Sequence, residues 1–256
     1  MTALRDVATI ADPFLVVKDL TMRFGGICAL SDVTFDVAQG GITGLIGPNG
    51  AGKTTCFNCI TRLYQPTSGS VALGGHDLLR YPAHTIARRR IARTFQNVAL
   101  FSHMTVLDNV LVGFHARMRR SPGAGVNEEQ ARHEAAEVLD YLNLGDFAGK
   151  PVLDLPFGTR KAVELARALV AKPELLLLDE PAAGLNHTEV AALGETIARI
   201  SRDFGTTILM VEHHMGLVMG ISNHIVVLDS GRKLADGPPQ EIQRDPLVIE
   251  AYLGTA

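Results

Sequence analysis

GPNGAGKTT, residues 47–55, constrains this chain more than any other stretch. Gly47, Gly52, Lys53 and Thr54 satisfy G-x-x-x-x-G-K-[ST], a spacing that asks for one local shape. Glycines let the backbone curl until successive N–H groups point inward at an anion. Gly47, Pro48, Asn49, Gly50, Ala51, Gly52, Lys53, Thr54 and Thr55 are therefore the candidate phosphate cradle. The apolar run ITGLIG (42–47) before it reads as a strand, and Lys53 opens a predicted helix that continues through CFNCITRLY. That helix adds the positive end of its dipole. Lys53 neutralises the outer phosphates in this reading, and the Thr54 hydroxyl ligates Mg²⁺.

The rest of the chain fits around that motif. FLVVKDL (14–20) and CALSDVTFDVA (28–38) are β-rich, and PTSGSVALGG (66–75) reads as a turn and another short strand. From about Arg88 to Leu155 strand signals disappear; MTVLDNVLVGFHARM and EEQARHEAAEVLDYLNL are amphipathic helices joined by the polar loop SPGAGVN. The run Arg88-Arg89-Arg90 reads as a solvated helix face. From Leu155 onward helix and strand alternate through ELARALVA, ELLLLD, TEVAALGETIARISRDF, TTILMVE, IVVLDSG and RKLADG. Strands alternating with helices argue for a mostly parallel sheet covered on its faces. The expected fold class is α/β, a split core interrupted by a helical insertion at 98–155.

Asp179 and Glu180 follow ELLLLD, a continuous apolar strand of the fully buried kind. Two acids at the carboxyl end of such a strand point into the crevice where α/β sheets bind ligands. Asp179 is the candidate to hold Mg²⁺, mostly through water, and Glu180 to orient and deprotonate an attacking water. Bulk properties remove competing classes. A net charge of −3 gives no footprint for nucleic acid. Cys28, Cys56 and Cys59 make no disulfide framework, and Cys56 and Cys59 read as small buried helix residues. No apolar run reaches the roughly 20 residues a membrane-spanning helix needs; a membrane role would have to come through a partner.

With these motifs in hand the sequence resembles the nucleotide-binding subunit of ABC transporters over essentially its whole length, and within it the ATPase subunits of branched-chain amino acid importers. MRFGGICAL, IARTFQNVALFSHMTVLDNVLVG, LDEPAAGLN, VEHHMGLVMGISNHIVVLDSG and VIEAYLG carry the resemblance. It implies a single cassette over 1–256: a P-loop NTPase (RecA-like) core from 1–97 and 156–256 with an N-terminal antiparallel β subdomain, and a helical subdomain at 98–155. The family signature LSGGQ falls on Leu155, Pro156, Phe157, Gly158 and Thr159. The resemblance places Gly158 across a dimer, against the γ-phosphate held by the other subunit. The serine hydroxyl and the first glycine of the pair are lost here: Pro156 cannot donate and Phe157 restricts close approach, so either the helix N-terminus suffices or this half of the interface is weakened.

Other roles come from the resemblance alone. Gln96 in RTFQN is the Q-loop residue, reaching Mg²⁺ or water. His213 matches the switch histidine, with His214 the alternative. Phe24 takes the adenine-stacking position, and Asn186 replaces the usual D-loop Asp. The implied activity is ATP hydrolysis with ATP and Mg²⁺, driving a membrane importer for branched-chain or related amino acids from the cytoplasmic face. Implied partners are membrane-spanning permeases, a second ATPase subunit in a homo- or heterodimer and, indirectly, a solute-binding protein; nucleic acid is not among them. The alternatives are a soluble or regulatory ABC ATPase with a weakened signature, or an importer of urea, amides or other small polar solutes.

Overall fold

A computed structural model describes residues 13–118 and 127–253. Most of the predicted SPGAGVN linker, residues 121–126, and the last residue of VIEAYLG lie outside the described residues. The chain opens with β1 (Pro13–Phe24), β2 (Ile27–Ala38) and β3 (Ile42–Ile46), which runs into the glycine loop and α1 (Lys53–Ile60). β4 (Ser68–Leu73), β5 (His76–Asp77) and β6 (Ile91–Arg93) precede the helices α2 (Val106–Met118), α3 (Glu128–Tyr141) and α4 (Phe157–Leu169). β7 (Leu175–Asp179), α5 (His187–Phe204), β8 (Thr207–Val211) and α6 (Met215–Ile221) follow. The chain ends with β9 (His224–Asp229), β10 (Arg232–Gly237), α7 (Pro239–Ile242) and α8 (Pro246–Leu253).

The described residues fall into two compact units, one drawn from 1–83 and 207–256, the other from 84–206. In the first, β2-β1-β4-β5 form an antiparallel sheet. β3 lies parallel between β8 and β9, and β10 closes on β9 antiparallel. Every residue of β3 and β8 is buried, which is why both read as largely apolar runs rather than alternating ones. Each of their larger side chains contributes roughly 1.5–3 kcal/mol by leaving water. The consequence for function is positional: β3, held on both edges, delivers the glycine loop from a rigid strand end.

In the second unit β6 pairs with β7 in parallel, and β7 is buried throughout. The helices α2 and α3 pack with α4, whose buried face includes Val163, Leu165, Ala166 and Leu169. The expected class, α/β with parallel strands and an antiparallel N-terminal sheet, is the one observed.

Two readings of local structure are corrected. Strand signals vanish from the sequence after Arg88, yet Ile91–Arg93 forms β6; three residues beside a basic run carry no period, and pairing with the apolar β7 decides the matter. The helix expected to run through Tyr64 stops at Ile60. Arg62 adopts a left-handed φ of 64°, its Nε donates to the Tyr81 carbonyl at 2.9 Å, and the Tyr64 N–H turns back to the Asn58 carbonyl at 3.0 Å. A C-terminal reversal fixed by a distant carbonyl leaves no periodic signal.

Candidate functional site

The glycine loop is shaped by its left-handed positions. Gly47, Gly50 and Gly52 have φ of 151°, 81° and 101°, values a side chain resists. The space is also closed: a Cβ on Gly47 would lie 2.0 Å from the Leu228 carbonyl oxygen, and one on Gly52 would lie 2.8 Å from that of Ala29. The Gly231 N–H braces the loop by donating to the Ala51 carbonyl at 3.1 Å, and the Ser31 N–H reaches the Gly231 carbonyl at 2.8 Å. Lys53 is buried, 6% exposed, and its Nζ donates to the carbonyls of Gly47 at 2.7 Å and Pro48 at 2.9 Å. An ammonium held over the curl of an N–H nest at a helix start makes an anion site. Asn49, Gly50 and Thr54 are exposed, Pro48 and Thr55 half-buried, so the mouth of the loop is open.

In the same unit Phe24 ends β1, is 42% exposed, and has its ring set edge-on against Tyr64 at 5.1 Å. An exposed aromatic face held by a second ring is suited to stacking. His213 follows β8 and is exposed. His214 serves the backbone instead, its Nδ1 accepting the Leu217 N–H at 3.3 Å at the start of α6. Glu212 Oε2 accepts both histidine N–H groups, at 2.8 and 3.0 Å. Tyr252 of α8, which sequence reasoning passed over, faces the Gly47 N–H; burial pushes its phenol up while that N–H draws it back. Its only sequence signal was membership of the VIEAYLG tail.

The second unit gathers the acids. Gln96 Nε2 donates to Glu180 Oε2 at 2.7 Å, although the two are 84 positions apart. Glu180 has a φ of 49°, a left-handed conformation costing a side-chain-bearing residue about 1 kcal/mol; strain of this kind concentrates at functional positions. Lys161 Nζ donates to the Glu180 carbonyl at 3.1 Å. Asp179 is engaged by a residue the sequence did not single out: Arg93 Nη2 meets its Oδ2 at 2.6 Å, with side chains 7% and 5% exposed. That buried pair fixes the carboxylate at the strand end and offsets its desolvation.

The signature stretch starts α4. Pro156 is the N-cap and offers no side-chain cap. Phe157 is 39% exposed, and its ring leaves room for no more than glycine at 184, where a Cβ would meet Cε1 at 2.8 Å. Arg160 and Lys161 both lie 5.6 Å from the ring centroid. A Cβ on Gly158 would come 2.8 Å from Glu189 Oε1. Glu189 belongs to a capping box with Asn186, whose Oδ1 accepts the Glu189 N–H at 3.0 Å while Glu189 Oε2 accepts the Asn186 N–H at 2.9 Å. Asn186 thus starts α5, which its amide does as well as a carboxylate would.

A phosphate loop of this kind, with an acid pair after an apolar strand and a Gln before a helical region, defines an ATP-binding cassette. The ABC transporter family model matches residues 30–183, and the chain belongs to that family; it is the ATP-binding, ATP-hydrolysing component of a transporter. A second model, for branched-chain amino acid ATP-binding cassette transporters, matches residues 232–256. The high-affinity branched-chain amino acid transport ATP-binding protein BraF of Pseudomonas aeruginosa is 45% identical over 95% of this chain and 99% of its own length. Its counterpart LivG of Escherichia coli K12 is 43% identical over 96% and 100%. The crystal structure of the cassette MJ1267 in its ADP conformation superposes with a TM-score of 0.84 at 28% identity, covering 96% of this chain and all of that one. Among the described residues no helix is long and apolar enough to cross a membrane.

Proposed function

We propose that this chain is the motor subunit of an importer of branched-chain or related amino acids, bound at the cytoplasmic face to membrane-spanning permeases and fed by a solute-binding protein. Its relationship to BraF and LivG over almost full length supports the cargo class. Two cassettes, identical or not, pair across two ATP molecules, each held by the phosphate loop of one and Gly158 of the other. The helical subdomain, 98–155, passes the motion on.

In this reading the N–H groups of residues 47–55 and Lys53 bind the triphosphate, and Phe24 stacks on the base. Thr54, Gln96 and Asp179 serve Mg²⁺; a hydroxyl, an amide and a carboxylate are the hard oxygen donors that ion takes. When bound, Mg²⁺ neutralises charge on the phosphate oxygens. Glu180 holds and deprotonates the attacking water, and Gln96 keeps its carboxylate oriented. His213 is the switch residue, because the His214 ring is committed to α6. The observation that carries the reading is the 2.7 Å bond from Gln96 to a strained Glu180.

Glu180→Gln is expected to bind ATP normally, hydrolyse it at least about 100-fold more slowly and accumulate as a dimer in sizing experiments with ATP. Near-normal turnover would remove Glu180 from its role. Uptake of leucine against urea by the assembled transporter tests the cargo.

A further inference from the structure

The Gln96 loop is held at both ends by α4. Glu164 Oε1 accepts the Phe95 N–H at 3.2 Å, and the Ala99 N–H also donates to this carboxylate. Arg167, one turn along the same helix, lies 3.7 Å from that oxygen and donates Nη1 to the Ala99 carbonyl at 2.6 Å. The two side chains therefore bracket residues 95–99 with Gln96 inside the bracket.

Glu164 is only 3% exposed, and burying a carboxylate is costly unless it is paired and hydrogen-bonded. Packing alone would be served by an apolar side chain, so the charge is explained by what it grips. Burial pushes this carboxyl up, while the two N–H groups, Arg167 and Lys161 pull it back. Lys161, on the same helix, bonds the Glu180 carbonyl. One helix thus grips the residues flanking Gln96 through Glu164 and Arg167 and the Glu180 carbonyl through Lys161, and it begins with the signature stretch.

We propose that Glu164 is a positioning residue that locks the Phe95–Ala99 segment to α4, so that any displacement of the signature helix moves Gln96 against Glu180. A shift of about 1 Å is enough to carry a 2.7 Å hydrogen bond to the edge of its range. The signature's engagement with a partner's nucleotide would then be reported to the water-activating carboxylate within the same chain. This rests on the roles proposed above for Gln96 and Glu180.

The test uses the full chain and reads two things: ATP turnover, split into kcat and KM, and hydrogen exchange at the Phe95 and Ala99 amides. Glu164→Ala is expected to lower kcat about 10-fold with KM changed less than about 2-fold, and to speed exchange at those two amides at least about 10-fold. Amides of β7 should keep their protection. Glu164→Gln, which keeps an acceptor oxygen, should stay within about 3-fold of the parent in both readouts. Should the alanine variant not fold, Glu164→Asp, too short by one methylene, replaces it with the same expectation. Unchanged exchange at the two amides, an equal kcat loss in Glu164→Gln, or a loss confined to KM would overturn the proposal. Fast turnover in Glu180→Gln would instead strike the water-activating role and leave the amide result standing.

Discussion

The phosphate loop and the signature stretch both present glycine at a helix start, yet they use it for different reasons. Gly47 and Gly52 sit at positive φ with backbone oxygen pressed against the space a side chain would fill. Gly158 lies inside the first turn of α4, and its constraint is a neighbouring side chain, Glu189. A conformational demand tolerates one residue type; a packing demand tolerates whatever the neighbour can accommodate. The difference teaches why the first loop keeps its motif whole while the second can read LPFGT. What the signature stretch retains is a helix N-terminus, whose N–H groups are backbone and owe nothing to the serine it lacks.

That contrast can be broken from its strong side first. Gly47→Ala must place a Cβ against the Leu228 carbonyl and adopt an unfavourable φ, so a loss of roughly 3 kcal/mol or more is expected in denaturant unfolding, with nucleotide binding lost as well. A variant that binds ATP normally would show that the cradle is not dictated by backbone conformation. Gly158→Ala should cost only about 1 kcal/mol, since Glu189 can swing aside at the expense of its capping box. Calorimetric melting of the two variants side by side would sharpen the comparison, and equal losses would erase it.

The smallest effect concerns pH and separates the two units. His224, which opens β9 opposite Thr43, has its imidazole pulled below 6.5 by burial. Its contribution is complete above pH 6.5 and is lost as pH falls toward the lower folded value, because the unfolded chain then binds the proton more readily. Glu164 runs the other way: its carboxyl is pushed above 4.5 by burial, so stability declines as pH rises through that window. Hydrogen exchange across about pH 4–7 should show protection of β9 falling toward acid, and His224→Asn should flatten that trend. An unaltered slope in the variant would assign it elsewhere.

Much of the site was legible because its demands are local. The spacing of Gly47, Gly52, Lys53 and Thr54 encodes a loop whose lysine bonds the loop's own carbonyls, and ELLLLD announces a buried strand with acids at its end. Missed were contacts whose partners lie far along the chain. Arg93 reaches Asp179 across 86 positions, Glu164 reaches Phe95 across 69, and the Tyr252 phenol reaches Gly47 from the far end of the sequence. No periodicity marks such pairs, since each residue sits in an ordinary strand or helix pattern of its own. The three-residue β6 escaped for a related reason: it is a strand only because β7 is beside it.

By itself, then, the sequence determined the curl of the glycine loop, the order of the longer strands and helices and the placing of two acids at a strand end. Each follows from backbone sterics and hydrophobic period over a few neighbouring residues. Tertiary structure alone decided which charge guards Asp179, which histidine is committed to starting α6 and which helix grips the Gln96 loop. Those choices depend on burial, where an unpaired charge is too costly to leave, and burial exists only once distant segments have packed.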